Sequence, residues 1–430
     1  MATGKLARSV SIIGVGYTPL GNVTKSPEVL NWTERELVSY AALEAMEDAG
    51  IKAKDIDVFN LGISGPNFSS KIKSAAPHYA EWVGMRGKPG IFHDEGCGSF
   101  MAGLHESVLS VASGAYDCAL TLGVNILYST PKKNYPPHLR LPYPREELYS
   151  NTWTDFDAAY EKPGTGGADT LDEYVGNYIR TYGISIDELD DALINYAKYL
   201  RKHANLNPKK VSAKITWEEE AKQFGFDDVN AYLKSPKYNP KMGTTLRGKW
   251  MSLWADAGAA CIICATDKVK DICTQIMPIE ISGIGMTTSI TKDMVGIPMK
   301  PDVDAAQRAY NMAGITDPYT ELEYMELIDC PVYSALRFSE ACGYVPAGKT
   351  VEYMLNGNFE PDGDRPMNAS GGKTQLGHPA GASMGISIAE AVYQMRGQAG
   401  PRQIKNQPKT AGVYGAGGGA TNIFAVLKTL

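Results

Sequence analysis

The sequence predicts an α/β fold built from two similar halves, and three observations carry that prediction. Apolar, strand-like runs alternate with helix-like stretches on both sides of a strand-poor middle region. The second half repeats the order of the first. Each half also holds a glycine-flanked reactive residue, Cys97 or His378, where a loop turns into a helix.

Taken in order, Ser9-Val-Ser-Ile-Ile-Gly-Val-Gly16 reads as a buried strand followed by a loop. Gly14-x-Gly16 starts like a dinucleotide fingerprint, but no third glycine stands at the right spacing and no helix follows at once. Thr33 is predicted to cap a helix running to Gly50, with Leu37, Ala41, Leu43, Ala45 and Met46 on its apolar face. Asp57 to Gly62 is a second strand and Tyr116 to Gly123 a third. Between them, Asp94-Glu-Gly-Cys97-Gly-Ser leads into a helix-like stretch from Met101 to Ser113. A thiol at a helix N-terminus has its thiolate favoured by the dipole and the unpaired N–H groups, so Cys97 is expected to be acidified.

Residues 126–250 change character and read as an inserted loop or cap domain. Prolines cluster at 131–144, and helix-like segments follow, including Glu188 to Ala204. Tyr143, Tyr149, Tyr160, Tyr174, Tyr178 and Tyr182 either line a roomy pocket or serve surface and dimer packing. Lys209, Lys210 and Lys214 read as a solvated basic face. Alternation returns with the apolar strand Trp254 to Ala265. That strand contains Cys261-Ile-Ile-Cys264, whose cysteines, three apart on a strand, point to opposite faces and make a poor metal pair.

The internal repeat organises the remainder. Pro278 to Gly285 mirrors Val10 to Gly16, Asp304 to Ile315 mirrors Ala41 to Ile51, and Glu323 to Asp329 mirrors Asp55 to Leu61. Residues 1–125 with 251–275 are therefore expected to form one half, and residues 276–430 the other. A pseudo-twofold between them would bring two equivalent helix N-termini to a shared centre. In the second half, Gly371, Gly372, Gly377, Gly381 and Gly385 crowd a loop that enters a helix with Ile386, Ala389, Val392 and Met395 at helical spacing. His378-Pro379 sits at that junction, with Pro379 suited to a first turn. Cys97 and His378 thus read as a nucleophile and its base, against the plainer reading of a buried thiol and a core histidine. Cys330 ends an apolar strand, a place from which side chains reach a cleft. The run Tyr414 to Ala420 makes a tight glycine loop before the last strand, Ile423 to Leu427.

Composition narrows the function. With 430 residues, 43% hydrophobic and 21% charged, the chain is an ordinary globular protein large enough for two or three domains. A net charge of −6 without a dense basic patch argues against nucleic acid as a partner. No apolar run approaches a membrane span and the first residues lack a signal-like core, so a cytoplasmic protein is expected. Seven scattered cysteines give no disulfide framework, and no metal site is expected.

Asp329-Cys-Pro-Val-Tyr through Lys349, Asn368-Ala-Ser-Gly-Gly with Gly377-His-Pro-Ala-Gly-Ala-Ser, and Asn195 to Pro208 resemble the thiolases along the whole chain. The likeness is to the sterol-carrier-protein-type and archaeal-type thiolases. It implies a five-layer α-β-α-β-α fold, coenzyme A as co-substrate with no permanently bound cofactor, acyl-CoA substrates and a tight homodimer. It makes Cys97 the acylated nucleophile, His378 its base, Cys330 the acid/base cysteine, and the Gly417 region the donor of a backbone N–H to an oxyanion. Relatives of this kind often work with a small zinc-containing OB-fold (DUF35) subunit, which implies a heterotetramer. The implied reaction is thiolysis of a 3-oxoacyl-CoA, as in β-oxidation or aromatic degradation, with benzoylsuccinyl-CoA as one candidate. Biosynthetic Claisen condensation, as by an acetyl-CoA acetyltransferase, and a non-catalytic CoA-binding subunit remain alternatives. The chain departs from the pattern at Ile328, where the family carries His or Asn, at Pro331, where an aromatic follows Asp-Cys, and at Tyr414, where many thiolases carry a cysteine.

Overall fold

A computed structural model describes residues 5–64, 74–127, 168–211, 214–241, 243, 245–273, 276–289, 296–418 and 421–430. Its strands are β1 (Val10–Tyr17), β2 (Val58–Gly62), β3 (Gly90–His93), β4 (Cys118–Ile126), β5 (Asp256–Ala265), β6 (Ile279–Thr288), β7 (Tyr324–Leu327), β8 (Thr410–Gly417) and β9 (Thr421–Thr429). Its longer helices are α1 (Glu34–Ala49), α2 (Ser99–Ala112), α3 (Ala168–Tyr182), α4 (Ile186–Leu206), α5 (Lys300–Ala313), α6 (Ser334–Ala341) and α7 (Ser383–Arg396). The strands are joined in the order β3-β2-β4-β5-β1-β6-β9-β8-β7.

That order is symmetric about the β1–β6 seam apart from β3, which has no counterpart among the described residues. β1 and β6 meet antiparallel at Ser11 opposite Glu280 and Ile12 opposite Ile279. Outward from this seam each side has an antiparallel neighbour (β5, β9), then a second (β4, β8), then a parallel strand (β2, β7). α1 lies against β1, β4 and β5, while α5 lies against β6 and β9. α2 and α7 fill the space between and touch strands of both sides. α7 buries all its residues except Tyr393 and Arg396, as a helix packed on every side must.

The same local device builds both halves. A β-carbon on Gly14 would lie 2.1 Å from the Ala45 carbonyl oxygen, and one on Gly16 2.6 Å from that of Ala41. In the second half, Gly283 and Gly285 stand 2.1 Å from the Ala309 and Ala305 carbonyl oxygens by the same measure. Gly14-x-Gly16 is therefore a helix–strand close approach rather than a phosphate loop. α1 and α5 both end on a left-handed glycine, Gly50 (φ 67°) and Gly314 (φ 69°). The Thr33 N–H donates to the Glu36 carboxylate at 2.6 Å, so the predicted start of α1 is where the chain places it.

Two expectations need correction. Leu43, assigned to the buried face of α1, is 65% exposed. Lys209 and Lys210 are not a solvated face, because the segment after α4 is drawn in against Leu20 by backbone hydrogen bonds through Lys209 and Val211. Lys210 is buried with its Nζ on Asn205, and Lys209 bonds Glu44 and lies 4.1 Å from the Tyr17 ring. Cys261 and Cys264 do face opposite ways, into the core between the layers and the core beneath α1 respectively.

The described part of the inserted region is helical, with α3 and α4 packed on the second half. Tyr174, Tyr178 and Tyr182 form a ladder of rings, with Tyr178 and Tyr182 centroids 4.9 Å apart. The Tyr178 hydroxyl donates to Glu340, so these rings serve packing. Tyr143, Tyr149, Tyr160 and the proline cluster lie outside the described residues. Among the described residues no helix is long and apolar enough to cross a membrane.

Candidate active site

Cys97 lies on the loop from β3 into α2. Gly96 takes a positive φ of 56°, and the Gly98 and Ser99 N–H groups fold back onto the Glu95 and Gly96 carbonyls at 3.0 and 3.1 Å. The Ser99 hydroxyl accepts from the Glu95 N–H at 2.9 Å, which fixes the turn. Gly417, at the end of β8, presses against this loop. A β-carbon on Gly417 would lie 1.7 Å from the Glu95 carbonyl oxygen, so only glycine fits there. The Thr421 hydroxyl donates to the Glu95 carboxylate at 2.6 Å and ties β9 to the same loop.

His378 follows Gly377, whose φ of 145° is open only to glycine. The histidine backbone is held like a strand, its N–H donating to Leu253 at 2.6 Å and its carbonyl accepting from Ala255 at 3.4 Å. A short 3-10 turn, Ala380–Ala382, separates it from α7, so Pro379 precedes the helix instead of opening it. Asn125 supports that turn, its Oδ1 accepting from Gly381 N–H at 2.7 Å and from Ser64 N–H at 3.0 Å. The Ser383 Oγ stands 2.8 Å from His378 Nδ1, and the Trp254 ring lies 5.3 Å from the imidazole.

These arrangements bring Cys97 Sγ to 3.1 Å from His378 Nε2, across 281 positions of sequence. Burial lowers His378 to about 3, with the Lys373 cation adding to the effect. Burial raises Cys97 to about 12, partly offset by its own backbone N–H. The direction is opposite to the acidification expected from a helix terminus. α2 begins two residues beyond Cys97, and desolvation pushes this thiol in the opposite direction.

Cys330 follows β7 and stands 2.8 Å from the Ser252 hydroxyl oxygen. Burial pushes its thiol well above the usual range, nearby Cys97 and Asp329 push further, and the Ser252 hydrogen bond pulls back. Asp329 is buried and raised to about 7 by desolvation, while it accepts from the Lys373 backbone N–H. The Thr374 hydroxyl donates to the Asp329 carbonyl, so the Cys330 and His378 loops are stitched together. Ile328 is buried with its N–H on the Tyr414 carbonyl at 3.0 Å and offers no polar side chain. The Tyr414 ring is turned into the second half's core, its hydroxyl on Asp302 at 2.7 Å and its face on Phe338. Among the described residues no cluster of His, Cys, Asp and Glu is arranged to hold a metal ion.

The sequence reading missed Ser252, Ser383, Asn125 and Trp254. Ser383 stood in the His378 motif, five residues on, and an N-terminal helical serine was a legible signal. Ser252 and Asn125 carried none, because each reaches the site only through tertiary contact.

Residues 283–429 match the thiolase C-terminal domain-like family. The acetyl-CoA acetyltransferase of Methanothermobacter thermautotrophicus is 25% identical over 423 residues, covering 97% of this chain and 100% of that protein. An Ltp2-ChsH2(DUF35) aldolase superposes with a TM-score of 0.73 at 20% identity, covering 99% of each chain. Human mitochondrial 3-ketoacyl-CoA thiolase, solved in complex with CoA, superposes with a TM-score of 0.66 at 18% identity, again over 99% of each. The thiolase fold expected from the sequence is the fold this chain shares with these structures, and its residues 283–429 carry the match to the thiolase C-terminal domain-like family.

Proposed function

We propose that this protein is a thiolase-type acyltransferase that passes an acyl group between a 3-oxoacyl-CoA and free CoA through an acyl-Cys97 intermediate. The observation that carries this is the 3.1 Å contact between the Cys97 sulfur and the His378 imidazole, with a second thiol, Cys330, on the neighbouring loop. His378, neutral at any physiological pH, is free to take the Cys97 proton as the sulfur attacks the ketone carbon. The bond between the ketone carbon and the α-carbon breaks, and the leaving thioester enolate takes a proton from Cys330. CoA then displaces the acyl group, its own thiol proton passing to the Cys330 thiolate. Desolvation pushes both thiols up, which favours moving each proton in step with bond making. The Gly417 region, packed on the Cys97 loop, is proposed to offer a backbone N–H to the developing oxyanion.

The 25%-identical archaeal relative is named for the synthetic direction, and the same residues run a Claisen condensation in reverse. A branched or aryl acyl group, benzoylsuccinyl-CoA included, is a narrower proposal, and it draws no support from Tyr174, Tyr178 or Tyr182, which are used in packing. We also propose a homodimer across β3, a strand paired only to β2 among the described residues, with Ile91 46% exposed on that edge. A DUF35-type partner subunit is supported by the neighbour solved with one. That this subunit is a zinc-carrying OB-fold and gives a heterotetramer is a narrower proposal. The division into two halves and an insert at 126–250, and a cytoplasmic location, are part of the same proposal.

Mass spectrometry after mixing with acetyl-CoA or acetoacetyl-CoA tests the reading. An acetyl adduct on the Cys97 peptide, absent in Cys97→Ser, is expected. C–C cleavage without any adduct would point to aldolase chemistry, and neither cleavage nor adduct would leave a CoA-binding scaffold.

A further inference from the structure

Cys330 is asked to hold a negative charge in surroundings hostile to it. Its thiol is half-buried against the core; desolvation, Cys97 and Asp329 all oppose ionisation, and Ile328 supplies no donor. The Ser252 hydroxyl, itself buried and 2.8 Å away, is the neighbour whose hydrogen bond favours the thiolate. Ser252 comes from the segment between the inserted region and β5. Its neighbours are anchored on both sides, with the Trp250 carbonyl accepting from Val332 N–H at 2.9 Å and the Leu253 carbonyl accepting from His378 N–H at 2.6 Å. The hydroxyl is therefore fixed between the Cys330 loop and the His378 loop.

We propose that Ser252 is a positioning residue for Cys330, donating its O–H to the sulfur when that sulfur becomes a thiolate. This rests on the acyl-transfer reading above. When the S–H proton moves to the α-carbon of the enolate, the electron pair of the S–H bond stays on sulfur, and the Ser252 O–H turns toward it. When Cys330 removes a proton from an α-carbon or from the CoA thiol, the S–H bond re-forms and the hydroxyl is released to accept. Ser252 thus does for the second thiol part of what a polar side chain at the Ile328 position would otherwise do.

The test uses the whole protein with Ser252→Ala and Ser252→Thr. Two readouts are followed: peptide-resolved alkylation of Cys97 and Cys330 by iodoacetamide against pH, and exchange of the acetyl-CoA methyl protons in D2O. In Ser252→Ala, Cys330 alkylation and α-proton exchange should each fall about 10- to 100-fold at a given pH, the loss expected for one hydrogen bond to a charged group. The Cys330 profile should also move to higher pH. Cys97 alkylation should stay within about twofold, and Ser252→Thr should restore exchange. Equal loss at both cysteines would show a structural disturbance and overturn the proposal, as would unchanged Cys330 reactivity in Ser252→Ala. Wild-type protein that acylates Cys97 without exchanging α-protons would overturn it while leaving acyl transfer standing. Wild-type protein that does neither removes the acyl-transfer reading, and alkylation of Cys330 alone then decides the contact.

Discussion

The two halves of this molecule share a frame and differ in load. β1 with α1 and β6 with α5 are built the same way, down to paired glycines pressed against two helix carbonyls and a left-handed glycine at each helix end. Where the halves face each other, one offers a thiol on a tight turn entering α2, and the other an imidazole held like a strand and set off from α7 by a 3-10 turn. Symmetry supplies the address, and asymmetry at the loop supplies the chemistry. That is why similar scaffolds in one chain can bring unlike groups into contact.

The comparison breaks most sharply at His378. His378→Ala leaves the frame of both halves in place but removes the base, so turnover of acetoacetyl-CoA should fall about 10²–10⁴-fold in kcat/KM with little change in the unfolding midpoint. A drop in stability equal to the drop in rate would mean that the ring is a core element.

A smaller effect separates a dipole-activated thiol from a desolvated one. With Cys97 raised to about 12, its thiolate fraction rises about tenfold per pH unit throughout the working range. Iodoacetamide alkylation of Cys97 should therefore climb about 100-fold from pH 7 to pH 9 with no plateau. Since His378 sits at about 3, its protonation should give no acidic limb above about pH 5. A plateau near pH 7 would restore the helix-terminus account.

The smallest effect tests the shared frame itself. Gly14→Ala and Gly283→Ala each force a β-carbon to within 2.1 Å of a helix carbonyl, so each should cost about 1–3 kcal/mol in denaturant unfolding. Near-equal costs confirm that the halves use one device. A much larger penalty in one would show where the repeat has diverged.

Much of this was legible from the chain alone, for a local reason. Strand and helix periodicity, glycines at helix ends and the recurrence of both in the second half are set by neighbours in sequence, so β1, α1, β2, β6 and α5 fall where their patterns put them. The glycine loops around Cys97 and His378 were visible because positive φ and close approach both demand that residue. Leu43 and the Lys209–Lys210 pair went the other way, since their exposure depends on what is laid against them.

What tertiary structure alone decided is the state of the site. The 3.1 Å meeting of Cys97 with His378, the Ser252 hydroxyl on Cys330 and the Ser383 hydroxyl behind the imidazole need segments brought together by the β1–β6 seam and the packing of α2 against α7. The upward push on both thiols follows from the desolvation this brings. Desolvation is a property of everything surrounding a group, whereas a helix dipole is written in the few residues beside it, so the upward push on these thiols had no local signal.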